Sequence, residues 1–242
     1  MQDTDSQRVA IVTGGAIRVG EAISRRLAQA GYHVVVHAFS SSARAKALAD
    51  EIGGSWVCSD LTTEDGVELI FEHVDGLGQP LKVLVNNAAM FEPDAPDLVD
   101  KARWDAHFQL NVRAPFRAAQ LAAERMRRCG GGSIVNLLDI AAMRPETGYA
   151  HYSATKAALE SLTYGLAAEW APMIRVNGVA PGAALMPTTF TEAERNIRLE
   201  RTPMKEEPGA NALADTVAFL VDGPRAITGA VVPVDGGLSV TW

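Results

Sequence analysis

Short apolar runs alternate with longer amphipathic stretches along most of the chain. Seven of these runs are rich in Val, Ile and Leu without regular polar alternation, which is typical of strands buried on both faces. The stretches between them repeat apolar residues at helical spacing. This order predicts an α/β fold with a seven-stranded parallel sheet, doubly wound with helices on both faces. The runs are RVAIVTGG, HVVVHAF, SWVCSDL, KVLVNNA, SIVNLLD, IRVNGVAPG and AVVPVDGG.

One stretch after the sixth run breaks this alternation. Residues 182–208, GAALMPTTFTEAERNIRLERTPMKEEP, are rich in proline and charge. We expect residues 183–207 to form a loop or short helices that cover a site at the carboxyl ends of the strands, where ligands bind in this architecture. Nothing in the composition indicates a linker, so we predict a single domain over residues 1–242.

Composition and charge exclude several classes of function. The net charge of −7 and the pI near 5.3 argue against a nucleic-acid partner, because the basic residues form no block. The two cysteines, Cys58 and Cys129, provide neither a disulfide framework nor metal-ligand spacing. The polar N-terminus MQDTDSQR and the lack of an apolar run of ~18 residues predict a cytoplasmic protein with no membrane partner. We therefore expect a small-molecule substrate.

A glycine-rich turn follows the first predicted strand. Residues 13–20 read TGGAIRVG and open a helix. The backbone N–H groups and the positive dipole end of a helix N-terminus bind pyrophosphate, so this context predicts a Rossmann-like dinucleotide site. We place Gly14, Arg18 and Val19 against the cofactor. A Gly-Gly pair without that context would indicate only a tight turn.

The end of the second predicted strand favours NADP(H) over NAD. It contains His37 and lacks the Asp or Glu that binds a ribose 2′-hydroxyl. Hydroxyl and guanidinium groups follow instead, and these suit a 2′-phosphate. The serines also fit the N-terminal cap of the next helix, and both roles can hold together. The residues concerned are Ser40, Ser41, Ser42 and Arg44.

Other strand ends border the same crevice. Asp60 and Leu61 follow the third strand, and Asn87 and Ala88 follow the fourth. We predict that these residues line the cofactor. A simple turn or capping role is the alternative for each.

A tyrosine and a lysine four residues apart carry the candidate chemistry. Tyr152 and Lys156 begin a predicted helix, so both project from one face. An ammonium about 4 Å from a phenol favours the phenolate by roughly 4 kcal/mol at most. We expect this to lower the pKa of Tyr152 from its ordinary ~10 and to let the phenol exchange protons near neutrality.

These features together resemble the short-chain dehydrogenase/reductase family over essentially the whole chain. The resemblance implies that Tyr152 is a general acid and that Lys156 holds the nicotinamide ribose. It further implies that Asn111, in a long helix, keeps a proton-relay water in place. A homotetramer formed through the helices of Asn111 and Tyr152 is also expected. The features are the TGGAIRVG turn, Asp60, the NNA at residues 86–88, Asn111, Tyr152, Lys156 and the Pro181-Gly182 pair, which would border the cofactor.

Two departures from the broad family are similar to the pteridine reductase subfamily. Arg18 stands where most members have Gly or Ala, and Asp139 stands thirteen residues before Tyr152, where most have a catalytic Ser. Phe91 falls where the subfamily places an aromatic residue that stacks on the pterin. The resemblance implies that Arg18, Phe91, Asp139 and Tyr152 contact the substrate.

The chemistry of Asp139 supports this assignment. An ionised Asp can only accept hydrogen bonds, so it would repel the alkoxide that ketone reduction generates. A pterin presents amino and ring N–H donors to a carboxylate, and a ring nitrogen needs a proton as hydride reaches the neighbouring carbon. Our leading hypothesis is an NADPH-dependent pterin reductase in which Asp139 delivers a proton through water while Tyr152 serves another ring nitrogen.

Two alternatives stay open. One is an NADPH-dependent reductase of carbonyls or 3-oxoacyl thioesters. The other is a non-catalytic dinucleotide sensor, in which Asp139 marks lost catalysis. Arg18 alone would also fit a solvated phosphate ligand, and Phe91 alone a core residue. The sequence leaves open whether the substrate is a dihydropterin, a dihydrofolate or another pterin-like heterocycle, and whether Trp242 enters a neighbouring subunit.

Overall fold

The computed structural model describes residues 7–93, 100–145, 147–182 and 191–241. Within these ranges, seven strands form one sheet, and every neighbouring pair is parallel. Trp242 and residues 183–190 of the predicted lid lie outside the described residues. The strands are β1 (Val9–Val12), β2 (His33–Ala38), β3 (Ser55–Cys58), β4 (Leu81–Asn86), β5 (Gly132–Leu137), β6 (Ile174–Pro181) and β7 (Val231–Val234).

Helices connect successive strands, as the alternation in the sequence predicts. In the described ranges, no helix combines the length and the apolar character that crossing a membrane requires. The α-helices are α1 (Arg18–Gln29), α2 (Ser42–Ile52), α3 (Glu64–Gly76), α4 (Lys101–Phe108), α5 (Ala114–Arg128), α6 (Ala150–Trp170), α7 (Glu192–Arg201) and α8 (Gly209–Asp222).

The strand order is β3-β2-β1-β4-β5-β6-β7. The direction of winding reverses between β1 and β4, and the crevice outside the carboxyl ends of the strands at such a switch point is the usual ligand site. The prediction of a single Rossmann-like sheet with seven parallel strands and helices on both faces is confirmed.

Two apolar cores cover the two faces of the sheet. Successive side chains of a strand point to opposite faces, so Ala10 and Val12 pack with α1, α2 and α8, whereas Val9 and Ile11 pack with α3, α5 and α6. All four residues are fully buried. Burial on both faces explains why the strands lack polar alternation, and it holds their carboxyl ends rigidly around the crevice.

The long helix predicted around Asn111 is interrupted. A π-helical turn, Gln109–Arg113, joins α4 to α5. Pro115 lies in the first turn of α5 and has no N–H, so the backbone carbonyl of Asn111 loses the donor that a regular α-helix would supply. A π turn accommodates one extra residue within a helix and is frequent at functional sites. The irregularity therefore has a local cause in the sequence.

Candidate active site

A cavity of about 1000 Å³ opens at the carboxyl ends of the central strands. This volume is at the upper end for small-molecule sites and suits a dinucleotide together with a ring-sized substrate. Three predicted residues, Ser42, Arg44 and Asn111, do not line it. The predicted residues that do are Gly14, Arg18, Val19, His37, Ser40, Ser41, Asp60, Leu61, Asn87, Ala88, Phe91, Asp139, Tyr152, Lys156, Pro181 and Gly182.

The glycine-rich turn after β1 is closely packed. Gly14 has a φ of +61°, which favours glycine. A side chain at Gly20 would place its Cβ 2.0 Å from the carbonyl oxygen of Gly14. The Asn87 side chain donates to the carbonyls of Thr13 and Gly14 at 2.9 and 3.0 Å, and this ties the turn to the end of β4. The turn is thus held in one conformation beside the cavity.

The residues of this turn fit a dinucleotide. The N-terminus of α1 lines the cavity, and no side chain caps it at Ile17. The first backbone N–H groups of the helix therefore have no capping side chain as acceptor. Arg18 lines the cavity with a φ of +53°, unusual for a residue with a side chain. A helix N-terminus and a guanidinium together suit a pyrophosphate, and Ser40 and Ser41 lie past β2, where the 2′-phosphate of NADP would reach.

His37 connects the glycine-rich turn to the loop after β3. Its Nδ1 accepts from the backbone N–H of Gly14 at 3.1 Å, and its Nε2 donates to the carbonyl of Ser59 at 3.1 Å. Burial lowers the pKa of His37 to about 4, so the imidazole is neutral at physiological pH. His37 lines the cavity, but its ring nitrogens bind the protein. The predicted cofactor role is therefore one of holding Gly14 in position.

Asp139 lies just past β5 and receives two hydrogen bonds. The Tyr152 hydroxyl donates to Oδ2 at 2.8 Å. The backbone N–H of Ala141 donates to Oδ1 at 2.8 Å, so Asp139 also caps the 3₁₀ turn Ile140–Ala142. The cap fixes the carboxylate in place and leaves Oδ2 directed at the phenol.

Lys156 is buried one turn further along α6. Its Nζ donates to the carbonyl of Leu137 at 2.7 Å and lies 5.7 Å from the centre of the Tyr152 ring. Burial lowers the pKa of Lys156 to about 8, and the negative charge of Asp139 partly offsets this effect.

The expectation of a lowered pKa for Tyr152 is wrong. Burial raises this pKa well above 10, and the charge and hydrogen bond of Asp139 raise it further. Lys156, on which the expected lowering depends, points its ammonium at the carbonyl of Leu137. The nearest charge to the phenol is a carboxylate, so Tyr152 holds its proton and is a hydrogen-bond donor.

The Asn111 side chain binds other residues of the protein and does not line the cavity. Its Oδ1 accepts from the N–H of Met90 at 2.8 Å, and its Nδ2 donates to the carbonyl of Met90 at 3.0 Å and to Thr155 Oγ1 at 3.0 Å. The side chain is therefore committed to protein atoms. The expected water could therefore bind only to the backbone carbonyl of Asn111, which receives no hydrogen bond from Pro115 because proline has no N–H.

Aromatic rings form one wall of the cavity. Phe91 stacks on Tyr149 with ring centres 4.6 Å apart and planes within 6°, and it meets Tyr152 edge-on at 4.8 Å. Phe91 is 42% exposed, so it is not a core residue. A flat ring could bind on this wall next to the Tyr152 hydroxyl.

The lining lacks one predicted arginine and includes residues that were not predicted. Arg44, which we expected near a 2′-phosphate, lies outside the lining and pairs with Glu21 at 3.4 Å. Arg198 and Arg201 reach the cavity from α7, within the segment predicted to be a lid. The RLER motif was the available signal, but a charged helix usually indicates only a solvated surface. The unpredicted polar residues of the lining include Thr62, Arg144, Tyr149, Arg198, Arg201 and Thr241.

No group of three or more potential metal ligands occurs in the part of the chain that the structure describes. The chemistry available in the cavity is that of a tyrosine acid, a carboxylate, a lysine and several guanidinium groups.

The chain is similar to known proteins over almost its whole length. A family model described as enoyl-(acyl carrier protein) reductase matches residues 15–239. The 3-oxoacyl-[acyl-carrier-protein] reductase FabG of Staphylococcus epidermidis is 34% identical over 239 residues, covering 95% of this chain and 98% of that protein. The cis-4-hydroxycyclohexanecarboxylate dehydrogenase of Sinomonas cyclohexanicum is 34% identical over 245 residues, covering 98% of each chain.

A solved structure is also similar. FolM alternative dihydrofolate reductase 1 from Brucella suis, in complex with NADP, matches with a TM-score of 0.90 and 31% identity, covering 98% of this chain and 96% of that chain.

Proposed function

The chain belongs to the short-chain dehydrogenase/reductase family, and on that premise we propose that it is an NADPH-dependent reductase of pterins. One observation carries the proposal, namely that the Tyr152 hydroxyl donates to a carboxylate, Asp139, at 2.8 Å. A carboxylate in this position disfavours an alkoxide and favours a substrate with N–H donors. The stacked wall of Phe91 and Tyr149 in the same cavity supports a flat aromatic substrate.

NADPH is the proposed cofactor. Its pyrophosphate would bind at the N-terminus of α1 beside Arg18, and its 2′-phosphate beside Ser40 and Ser41. The end of β2 has no carboxylate, so no negative charge there would repel that phosphate. The NADP complex of the FolM protein at a TM-score of 0.90 supports this choice. When bound, the cofactor supplies a hydride to a ring carbon of the substrate.

Asp139 and Tyr152 would work in sequence. A pterin amino group that donates to Asp139 takes the place of the phenolic hydrogen, and this frees the Tyr152 hydroxyl to donate to a ring nitrogen. The proton then leaves Tyr152 as hydride reaches the neighbouring carbon, so the C=N bond gains one hydride and one proton. Asp139 is placed to accept a substrate N–H or to pass on a proton through water.

Lys156 would support this proton transfer by its position beside the Tyr152 ring. Its ammonium favours the tyrosinate that forms after proton donation, because the positive charge lies 5.7 Å from the ring centre in a buried setting. It is also placed to hold ribose hydroxyls of the cofactor. Asn111 would contribute by fixing Met90, next to the aromatic wall.

A reductase of carbonyls or 3-oxoacyl thioesters is the second candidate. The observation in its favour is the 34% identity to a 3-oxoacyl-[acyl-carrier-protein] reductase over 95% of this chain. Asp139 argues against it for the electrostatic reason given above. A non-catalytic dinucleotide sensor is disfavoured, because Tyr152 and Lys156 remain positioned in the cavity.

The deciding experiment measures NADPH oxidation with dihydrobiopterin, dihydrofolate, acetoacetyl thioester and a simple ketone. Turnover of a pterin with little turnover of the carbonyls is expected. Turnover of carbonyls alone would favour the second candidate. NADPH binding without turnover of any of these compounds, and without any effect of Tyr152→Phe, would indicate a sensor.

Assembly stays a prediction from the family resemblance, and a cytoplasmic location stays a prediction from the sequence. A homotetramer would bury faces of α5 and α6, and Tyr164 on α6 is 45% exposed in the single chain. Light scattering of the purified protein tests the tetramer. Cell fractionation tests the cytoplasmic location.

A further inference from the structure

Three arginines cluster along the cavity wall without a role in the proposed reaction. They are Arg144, which follows the 3₁₀ turn after Asp139, and Arg198 and Arg201 on the last turn of α7. The chain as a whole has a net charge of −7, so positive charge here does not reflect its average composition. Such a cluster indicates a binding site for an anion.

The three arginines belong to the half of the cavity that holds Asp139. The Arg144 guanidinium donates to the carbonyl of Thr241, in the C-terminal segment. The end of α7 rests on the same segment, since the N–H of Met204 donates to the carbonyl of Gly236 at 3.1 Å. Thr202, directly after Arg201, is fully buried beside Gly236. One continuous wall therefore carries all three guanidinium groups.

This wall is far from the 2′-phosphate site. Ser40 and Ser41 follow β2, whereas residues 235–241 follow β7. Five strand spacings separate β2 from β7 in the sheet order, which amounts to roughly 24 Å at ~4.8 Å per strand. An arginine side chain cannot span that distance. The pyrophosphate already has the N-terminus of α1 and Arg18. The phosphates of the cofactor therefore do not account for the guanidinium groups at the β7 side.

Ion pairing distinguishes Arg195 from Arg201, although both residues lie on α7. Arg195 pairs with Glu207 at 2.8 Å and does not line the cavity. Arg201 has no ion-pair partner among the residues that the structure describes, and it lines the cavity. The carboxylates of the described lining are Asp60, past β3, and Asp139, which binds Tyr152. A planar guanidinium in this setting matches a carboxylate through two parallel hydrogen bonds.

We propose that Arg144, Arg198 and Arg201 form a carboxylate subsite, so that the substrate bears an acidic side chain beyond its reactive ring. The inference rests on the proposed function for the identity of the ring. It narrows the pterins to those with a carboxylated side chain, of the pteroylglutamate kind, over pterins whose side chain is neutral. Arg201 is the residue best suited to a test, because it is exposed on the surface of α7 and its removal leaves the core unchanged.

The experiment compares Arg201→Gln with the wild-type protein on two substrates that share a ring. Dihydrofolate carries two carboxylates, and dihydrobiopterin carries none. In the variant, the KM for dihydrofolate should rise about tenfold or more, as expected for a lost charge-assisted hydrogen bond, while the KM values for dihydrobiopterin and NADPH stay within about twofold. Arg201→Lys should restore part of the affinity. Arg128→Gln is the matched control, since it removes one surface arginine from α5.

The outcomes separate this inference from the proposed function. Turnover of both pterins with no effect of Arg201→Gln on dihydrofolate would overturn the subsite and leave the reductase standing. A rise in the KM for NADPH alone would assign Arg201 to the pyrophosphate and also overturn it. If the wild type reduces no pterin, 4-oxocyclohexanecarboxylate and its methyl ester replace them. A preference for the acid that Arg201→Gln abolishes would then support the subsite, and the lack of a preference would overturn it.

Discussion

The Tyr152 hydroxyl donates to Oδ2 of Asp139 across 2.8 Å, and burial together with this carboxylate raises the pKa of the phenol, where a lowered pKa was expected. A tyrosine beside a lysine alone would lose its proton more easily. Beside a half-buried carboxylate it keeps the proton until a substrate donor replaces it. The pair is therefore suited to a substrate that brings its own N–H groups to the site.

Asp139→Asn should separate the charge of Asp139 from its capping role. Asn retains an oxygen for the N–H of Ala141, which Oδ1 of Asp139 accepts at 2.8 Å, so the 3₁₀ turn should persist. The pKa of Tyr152 should fall towards its ordinary value, because the negative charge that raises it is gone. Turnover of a pterin should drop about 100-fold or more, as is usual for a lost acid–base group.

Steady-state kinetics with dihydrofolate and an absorbance titration of the phenolate, referenced to Tyr152→Phe, measure both effects. Unimpaired pterin turnover in Asp139→Asn would contradict the assignment of Asp139.

The affinity for NADPH should depend on pH through Lys156. Burial lowers the pKa of Lys156 to about 8, so the fraction of ammonium declines as the pH rises through that value. A neutral amine binds ribose hydroxyls less strongly than an ammonium, and the dissociation constant for NADPH should increase above pH 8. Fluorescence titration of NADPH between pH 6 and 10 tests this. Lys156→Arg keeps its charge over that range and should give a flat profile; an identical decline in the variant would point to another group.

Acid should destabilise the protein through His37. Its folded-state pKa, about 4, lies below the ordinary 6.5, so the unfolded chain binds more protons between these values. The free energy of unfolding should therefore fall as the pH drops from 6.5 towards 4. The difference between these two pKa values corresponds to about 3 kcal/mol in the free energy of unfolding.

Urea unfolding at several pH values measures the effect, and His37→Gln should reduce the slope in this window. Gln cannot titrate there, yet it can still accept from Gly14. A slope unchanged by the substitution would assign the acid sensitivity to other groups.

Ser41→Asp should change the cofactor preference. Ser41 lines the cavity past β2, and a carboxylate there would repel a 2′-phosphate and accept from a 2′-hydroxyl. The ratio of kcat/KM for NADPH to that for NADH should fall at least about tenfold. Ser42→Asp provides the same charge one residue further on, outside the lining, and should change the ratio little. Equal effects of the two substitutions would indicate a long-range charge effect only.

Phe91→Leu should weaken binding of a pterin but not of the cofactor. Phe91 stacks on Tyr149 at 4.6 Å, and ring stacking contributes about 0.5 to 1.5 kcal/mol beyond buried area. The KM for a dihydropterin should rise about three- to tenfold, because leucine keeps apolar contact but has no ring. Phe91→Trp should preserve the affinity for the dihydropterin. An unchanged KM in Phe91→Leu would place the ring of the substrate elsewhere.

The fold could be predicted because its signals are local. Unalternated apolar runs such as that of β1 reflect burial on both faces. Gly15 and Gly20 reflect contacts that leave no room for a Cβ, and Gly14 reflects a positive φ. The gathering of Gly14, Asn87 and Asp139 at one edge follows from parallel strands alone, since their carboxyl ends meet there.

The rest of the site depends on side-chain directions that spacing does not encode. Tyr152 and Lys156 share a helix face, yet Lys156 turns to Leu137 and Tyr152 to Asp139. Whether Ser41 or Ser42 faces the cavity is decided by the start of α2. The arginines of α7 reach the cavity only because the helix end rests on residues 235–241, a contact between distant parts of the chain.

The π turn at Gln109–Arg113 gives this stretch an intolerance to changes in length. The π turn absorbs one extra residue, so deleting a residue there would regularise the helix and remove the wide turn that positions the Asn111 side chain. Asn111 would then lose its alignment with Met90. Point substitutions in this stretch should therefore be tolerated more often than single-residue insertions or deletions.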